Sequence, residues 1–232
     1  MLCWTVRIVK GGTVFRLLLG AIGLTGILIA LPLLFAGGSL FWVDTALTDE
    51  NGFVNSTVME IEVDGFALVA GPTEIENVPK IPDSPIALGE IVTLRIQAEN
   101  LDADQGIFIG IAPTEILDDY LGGVPYAVVD DTDEDEMFLS YRMNASDEPL
   151  LPPREQEFWT SSATGMGLQQ LEWELEEGDV SFVVMNEDAS DGLAFEAVAG
   201  VRIPLIGPVG IGLLIGGGVA LAIGTILFAL AL

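Results

Sequence analysis

A chain of 232 residues is long enough for one ordinary domain, or for one domain plus membrane segments. Half its residues are hydrophobic, yet its formal net charge is −27, and it holds no histidine and a single cysteine, Cys3. The missing histidine excludes Ser-His-Asp and Cys-His catalysis and the usual zinc sites. The acidity excludes nucleic acid and anionic surfaces as partners, and the lone cysteine excludes an internal disulfide.

Apolar and acidic residues are segregated along the chain. All 35 Asp and Glu lie between Asp44 and Glu196. Residues 1–16 carry Arg7, Lys10 and Arg16 without an acid and read as a cytoplasmic N-terminal segment by the positive-inside rule. Leu17 to Trp42 then runs for 26 residues without a charge. As helix this spans roughly 39 Å, against a hydrocarbon core of about 30 Å. A first transmembrane helix is expected over 17–43, with Trp42 as its outer interface anchor. A cleaved signal peptide is the rival reading, with Ala36 and Gly38 as small residues for cleavage. The run exceeds the roughly 7–15 residues usual for such an apolar region, which favours an uncleaved helix. Cys3 would lie on the cytoplasmic side, where acylation is one reading and an unmodified thiol the simpler one.

Residues 44–202 are expected to lie outside the membrane. They carry 35 acids against five bases (Lys80, Arg95, Arg142, Arg154 and Arg202), a net charge of −30. The chain has only two lysines, Lys10 and Lys80. So little lysine beside so many carboxylates suggests a halophile, whose salt would screen the self-repulsion. Strands are expected over 58–63, 66–70, 90–98, 107–111, 126–129, 137–143, 171–175, 180–185 and 193–201. The alternation is clearest in the third, where Val92, Leu94, Ile96 and Ala98 oppose Thr93, Arg95 and Gln97. One helix is expected over Thr114–Leu121, after Pro113 and before Gly122-Gly123. Short strands with polar turns point to a mainly β domain, an antiparallel β-sandwich.

The acidic stretch Asp130 to Glu136 reads DDTDEDE. An EF-hand loop begun at Asp131 would need glycine at its sixth position and glutamate at its twelfth; Glu136 and Arg142 stand there instead. A solvated loop is the simpler reading. Weak calcium binding through Asp131, Asp133 and Asp135 is the one cofactor reading the stretch supports. Asn186 to Gly192, NEDASDG, reads as a hairpin loop. Trp159 and Trp173 read as core residues, with a sugar-binding platform as the alternative. Asn55 and Asn144 open glycosylation tripeptides, Asn-Ser-Thr and Asn-Ala-Ser.

Residues 203–232 are uncharged and are expected to form a second transmembrane helix, returning the C-terminus to the cytoplasm. Gly212, Gly216, Ala220 and Gly224 recur every four residues, a spacing that lets another helix approach closely. That helix could be the first one, through Gly23, Gly26 and Ala30, or it could belong to a second copy or another membrane protein.

Five segments carry a resemblance: LTDENGFV (47–54), GFALVA (65–70), IFIGIAPTEILDDYLGGVPY (107–126), FWTSSATG (158–165) and FVVMNEDAS (182–190). With them the chain resembles a family of uncharacterised prokaryotic two-pass membrane proteins. In that family an acidic β-rich outer domain stands between two helices. The resemblance implies topology and carries over no catalytic residue.

No phosphate-binding glycine loop occurs, and 35 acids nominate no particular glycosidase pair. The expectation is therefore a protein without enzymatic activity. Its expected role is a structural or interaction component of the cell envelope, or an accessory subunit of a membrane assembly. The alternative is a sensory outer domain that binds cations or sugars.

Overall fold

The computed structural model describes residues 11–75, 92–133, 136–142 and 150–232. The chain divides into two compact units, Met1–Thr48 with Pro204–Leu232, and Asp49–Ile203. Its α-helices are α1 (Gly11–Ala46), α2 (Thr114–Leu121) and α3 (Ile206–Ala231). Helix and strand take up comparable shares of the described residues.

The first unit is the pair α1 and α3. Both are long and apolar enough to cross a membrane, with a mean hydropathy of 2.4 each. Among the described side chains their few hydroxyls are satisfied within the helix. Thr25 donates to Ala21 O at 3.0 Å, Ser39 to Phe35 O at 2.9 Å and Thr225 to Leu221 O at 2.7 Å. A hydroxyl with no water around it needs such a partner. The helices run antiparallel, Gly23 meeting Gly224 and Gly37 meeting Gly210.

The second unit holds two sheets. One contains β1 (Val54–Asn55), β2 (Met59–Val63), β4 (Thr93–Asn100), β9 (Gln169–Glu174) and β11 (Leu193–Arg202). Its order is β1-β11-β4-β9, and β2 also pairs with β11. The other contains β3 (Ala67–Ile75), β5 (Ile107–Pro113), β6 (Tyr126–Asp133), β7 (Glu136–Arg142), β8 (Ser161–Gly165) and β10 (Gly178–Asn186), in the order β7-β6-β3-β10-β5-β8. The second sheet is mixed rather than purely antiparallel, because β3 and β6 pair in parallel, Leu68 opposite Ala127. A parallel pair needs a long crossover. The chain supplies one, since β4, β5 and α2 all intervene between β3 and β6.

The two sheets share a core. Ile61, Ala98, Leu171, Trp173 and Phe195 from the first meet Leu68, Ile109, Ile111, Val180 and Val184 from the second. The opposite face of the second sheet is also buried. There Val69, Phe108, Val183 and Met185 pack under Leu117 and Leu121 of α2, with Phe158 and Trp159 alongside. Burial on both faces explains why β5 and β10 are near-continuous apolar runs rather than alternating ones. Each large apolar side chain so buried contributes roughly 1.5–3 kcal/mol.

β8 was not expected. Its residues, SSATG, show no apolar alternation, and the strand exists through pairing with β5, from Ile107 opposite Gly165 to Ile111 opposite Ser161. An edge strand needs only one paired side and tolerates small polar residues.

Candidate interaction surfaces

Where the chain enters and leaves the β unit, the segment Asp49–Asn55 folds over the outer face of β4 and β11. Asp49 Oδ1 accepts the backbone N–H groups of Asn51 and Phe53, each at 2.9 Å. Its Oδ2 accepts from Arg95 and, at 3.2 Å, from Asn55 Nδ2. Arg95 is 3% exposed and also donates to Asn55 Oδ1 at 2.7 Å. The Arg95 guanidinium stacks 3.9 Å from the centre of the fully buried Phe53 ring, and Arg202 stands over the same ring at 4.6 Å. The Arg95 hydrogen bond holds the Asp49 carboxyl well below the usual carboxylate range, helped by the Phe53 amide. Arg202 also lies 3.7 Å from Glu172. Opposite charges are matched and the groups lean on one another, so the cluster acts as a clasp that joins the entering and leaving segments.

The other end of the sheets is built differently. Buried Asn100, on β4, donates to buried Asn186, on β10, at 2.8 Å. Asn186 in turn donates to Ser190 O at 3.2 Å and to its Oγ at 3.1 Å. Asn100 accepts from the Asp102 amide at 2.9 Å. This satisfied polar pair ties one sheet to the other and fixes the loops 101–106 and 187–192. The β8–β9 turn lies at the same end, held by positive φ at Gly165 (150°) and Gly167 (68°). Leu101, Met166 and Leu168 are exposed there. A cavity of about 240 Å³ opens beside Met166, lined also by Asp104, Gln105, Gly106, Arg154, Glu187 and Asp188. Arg154 pairs with Glu187 at 2.9 Å. Ser190 holds the Asp188 carboxyl below its ordinary value through its hydroxyl and its amide.

In the helix pair, the tight contacts recur every seven residues. A Cβ on Gly23 would stand 2.6 Å from Phe228 N and 2.7 Å from Gly224 O, and one on Gly37 would stand 2.8 Å from Gly210 O. Ala30, midway between them, is fully buried. On α3 the facing residues are Gly210, Gly217 and Gly224. The carboxylate of Asp44 on α1 lies against Gly207 in the first turn of α3, where a negative charge complements the helix dipole. The four-residue series from the sequence is split by this geometry. Gly224 faces α1, and Ala220 O would lie 3.6 Å from a Cβ on Gly26, whereas Gly212 and Gly216 have open space where a Cβ would stand.

The remaining sequence candidates fall as follows. The acidic stretch is mostly strand rather than loop. β6 continues to Asp133, with Asp131 in register with Phe138 and Asp133 with Glu136, and a register shift falls between Val129 and Asp131. Phe138 favours strand, and the backbone ladder carries the acids with it. Asp135 lies outside the described residues, as does Asn144. Among the described residues, no three Asp, Glu, Cys or His side chains converge as a metal ion would require. NEDASDG forms the β10–β11 connection, with Ala189 at φ 59°. Trp173 packs between the sheets against Phe182, and Trp159 packs on the opposite face with Phe108 and Phe158. The two tryptophans therefore share no surface. The Asn55 side chain is exposed, yet both of its polar atoms are engaged in the clasp.

Comparison with protein-family models, characterised proteins and solved structures finds no significant match to this chain.

Proposed function

We propose that this is a two-pass membrane protein with both termini in the cytoplasm and residues 44–202 outside, folded as an acidic, predominantly antiparallel β-sandwich. It acts as a structural and interaction component of the cell envelope, or as an accessory subunit of a membrane assembly, and has no enzymatic activity. The observation that carries this reading is the architecture. Two apolar helices that flank one β unit in the sequence pack closely on each other, and within that unit the buried Asn100–Asn186 pair and the Asp49–Arg95 ion pair take their partners from the unit itself.

Topology is tested with the thiol that the chain already has. A membrane-impermeant maleimide applied to intact cells should leave Cys3 unlabelled. In a Cys3→Ser background it should label a Ser162→Cys variant. Labelling of Cys3 in intact cells would overturn the orientation. The role is tested by purification in mild detergent at native salt, followed by mass spectrometry. A stoichiometric membrane partner is expected; a homogeneous chain without one would overturn the subunit reading.

A further inference from the structure

Within the interaction role proposed above, we infer that the end of the β unit opposite the chain's entry and exit docks a basic protein segment, one with a lysine or arginine beside apolar residues. The direction follows from β11. Its Arg202 end leads out of the unit, while its Phe195 end pairs with Asn100 and so lies with the loops described above. Leu101, Met166 and Leu168 are all exposed at this end, where polar residues would cost nothing. Met166 and Leu168 stand on a turn whose Gly165 and Gly167 hold a backbone that other residues rarely adopt, so these side chains are presented outward by construction. Extension of the β4–β9 register beyond Ala98 opposite Gln169 sets Glu99 across from Leu168, and the Glu99 carboxylate lies 3.9 Å from a Cβ built on Gly167.

Charge selects the occupant. Asp104, Glu187 and Asp188 line the cavity with Met166, Asp102 follows Leu101 in the chain, Glu99 lies across from Leu168, and the one base in the cavity, Arg154, is already paired with Glu187. A long cationic side chain entering the cavity would lay its methylenes along Met166 and bring its charge to Asp104 and Asp188. Apolar neighbours of that side chain would cover Leu101 and Leu168. In strong salt the rim charges are screened, so the apolar contact holds the segment and the carboxylates in the cavity choose it.

The test places a photo-crosslinking residue at Met166, at Leu168 or, as a control, at exposed Val58, in the full chain in its native membranes. The expected result is a crosslink from 166 and 168 to one protein, through a peptide with lysine or arginine next to apolar residues. Asp104→Lys should lower its yield at least tenfold without changing the melting temperature. No crosslink from 166 and 168, a crosslink to a second copy of this acidic chain, an acidic target peptide, or indifference to Asp104→Lys would each overturn the inference. A stoichiometric partner that crosslinks only from Val58, or copurifies without a crosslink from 166 or 168, overturns this docking surface and leaves the interaction role standing.

Discussion

Arg95 shows how a side chain's role can depend on what folds over it. Alternation along β4 assigns it to the polar face, and so it is. Its burial comes from the segment Asp49–Asn55 lying across that face, a tertiary contact 46 residues away in sequence for Asp49. No local pattern marks this. The available hint was scarcity: with so few bases in the unit, an arginine in mid-strand is worth asking about. Asp49→Asn removes the ion pair and leaves the buried guanidinium without its counter-charge, so the melting temperature should fall by several degrees. The sign of the pH dependence follows from a folded pKa below the unfolded one. The stabilisation is complete above the unfolded value of about 3.9 and is lost as pH falls through the folded value. The difference in melting temperature between native chain and variant should therefore be constant from neutral pH to about 4 and shrink below it. A difference that grew in acid would contradict the assignment. By contrast, the core role of Trp173 was legible, since it alternates with Glu172 and Glu174 on a strand of regular pattern.

Among the elements, the helix pair and the outer sheet face make separate predictions. The sequence shows small residues every four positions in α3, but the contact uses every seventh. On a helix of 3.6 residues per turn, a four-residue step drifts by about 40° and a seven-residue step by only about 20°. A long antiparallel contact therefore selects the heptad series Gly210, Gly217 and Gly224, and leaves Gly212 and Gly216 outside it. Gly37→Leu should separate the helices, whereas Gly216→Leu should leave them paired. In a Cys3→Ser background, the pair Gly20→Cys and Ala231→Cys should form a disulfide readily. Adding Gly37→Leu should abolish most of it, and adding Gly216→Leu should not. In the first sheet, Glu196 is directly opposite Glu60 on one side and Glu99 on the other, and all three are exposed. Like charges in such pairs are destabilising. Glu196→Gln should raise the melting temperature by about 1–3 °C in dilute buffer, and the gain should vanish in molar salt, where the screening length is only about 3 Å. β5, β10, β11 and α2 were legible from composition and period. The β8 edge and the β3–β6 pairing were not, because both depend on distant partners rather than on their own residues.

For the whole molecule, segregation of charge was the most legible property. Acids fill one continuous stretch and the apolar runs flank it, so the division into a helical unit and a β unit could be read directly. The same excess of charge predicts a strong dependence on ionic strength. The melting temperature of the β unit within the full chain should rise steadily with sodium chloride into the molar range; a flat response would count against a halophilic habitat. The candidate docking surface was not legible, because three loops far apart in sequence build it and none carries a motif.

The sheet order has a consequence for the life of the chain on the ribosome. β10 lies between β3 and β5, and β11 joins β1, β2 and β4. The last two strands to be made are thus the central strands of the two sheets. Until about Arg202 has emerged, β3 and β5 lack β10 between them, and β1, β2 and β4 lack β11, so each keeps an open edge. Closure of the fold is a late event with long loops to gather, which makes it slow. A chain that stalls before β10 would present several open strand edges at once, and these would be open to association with other chains.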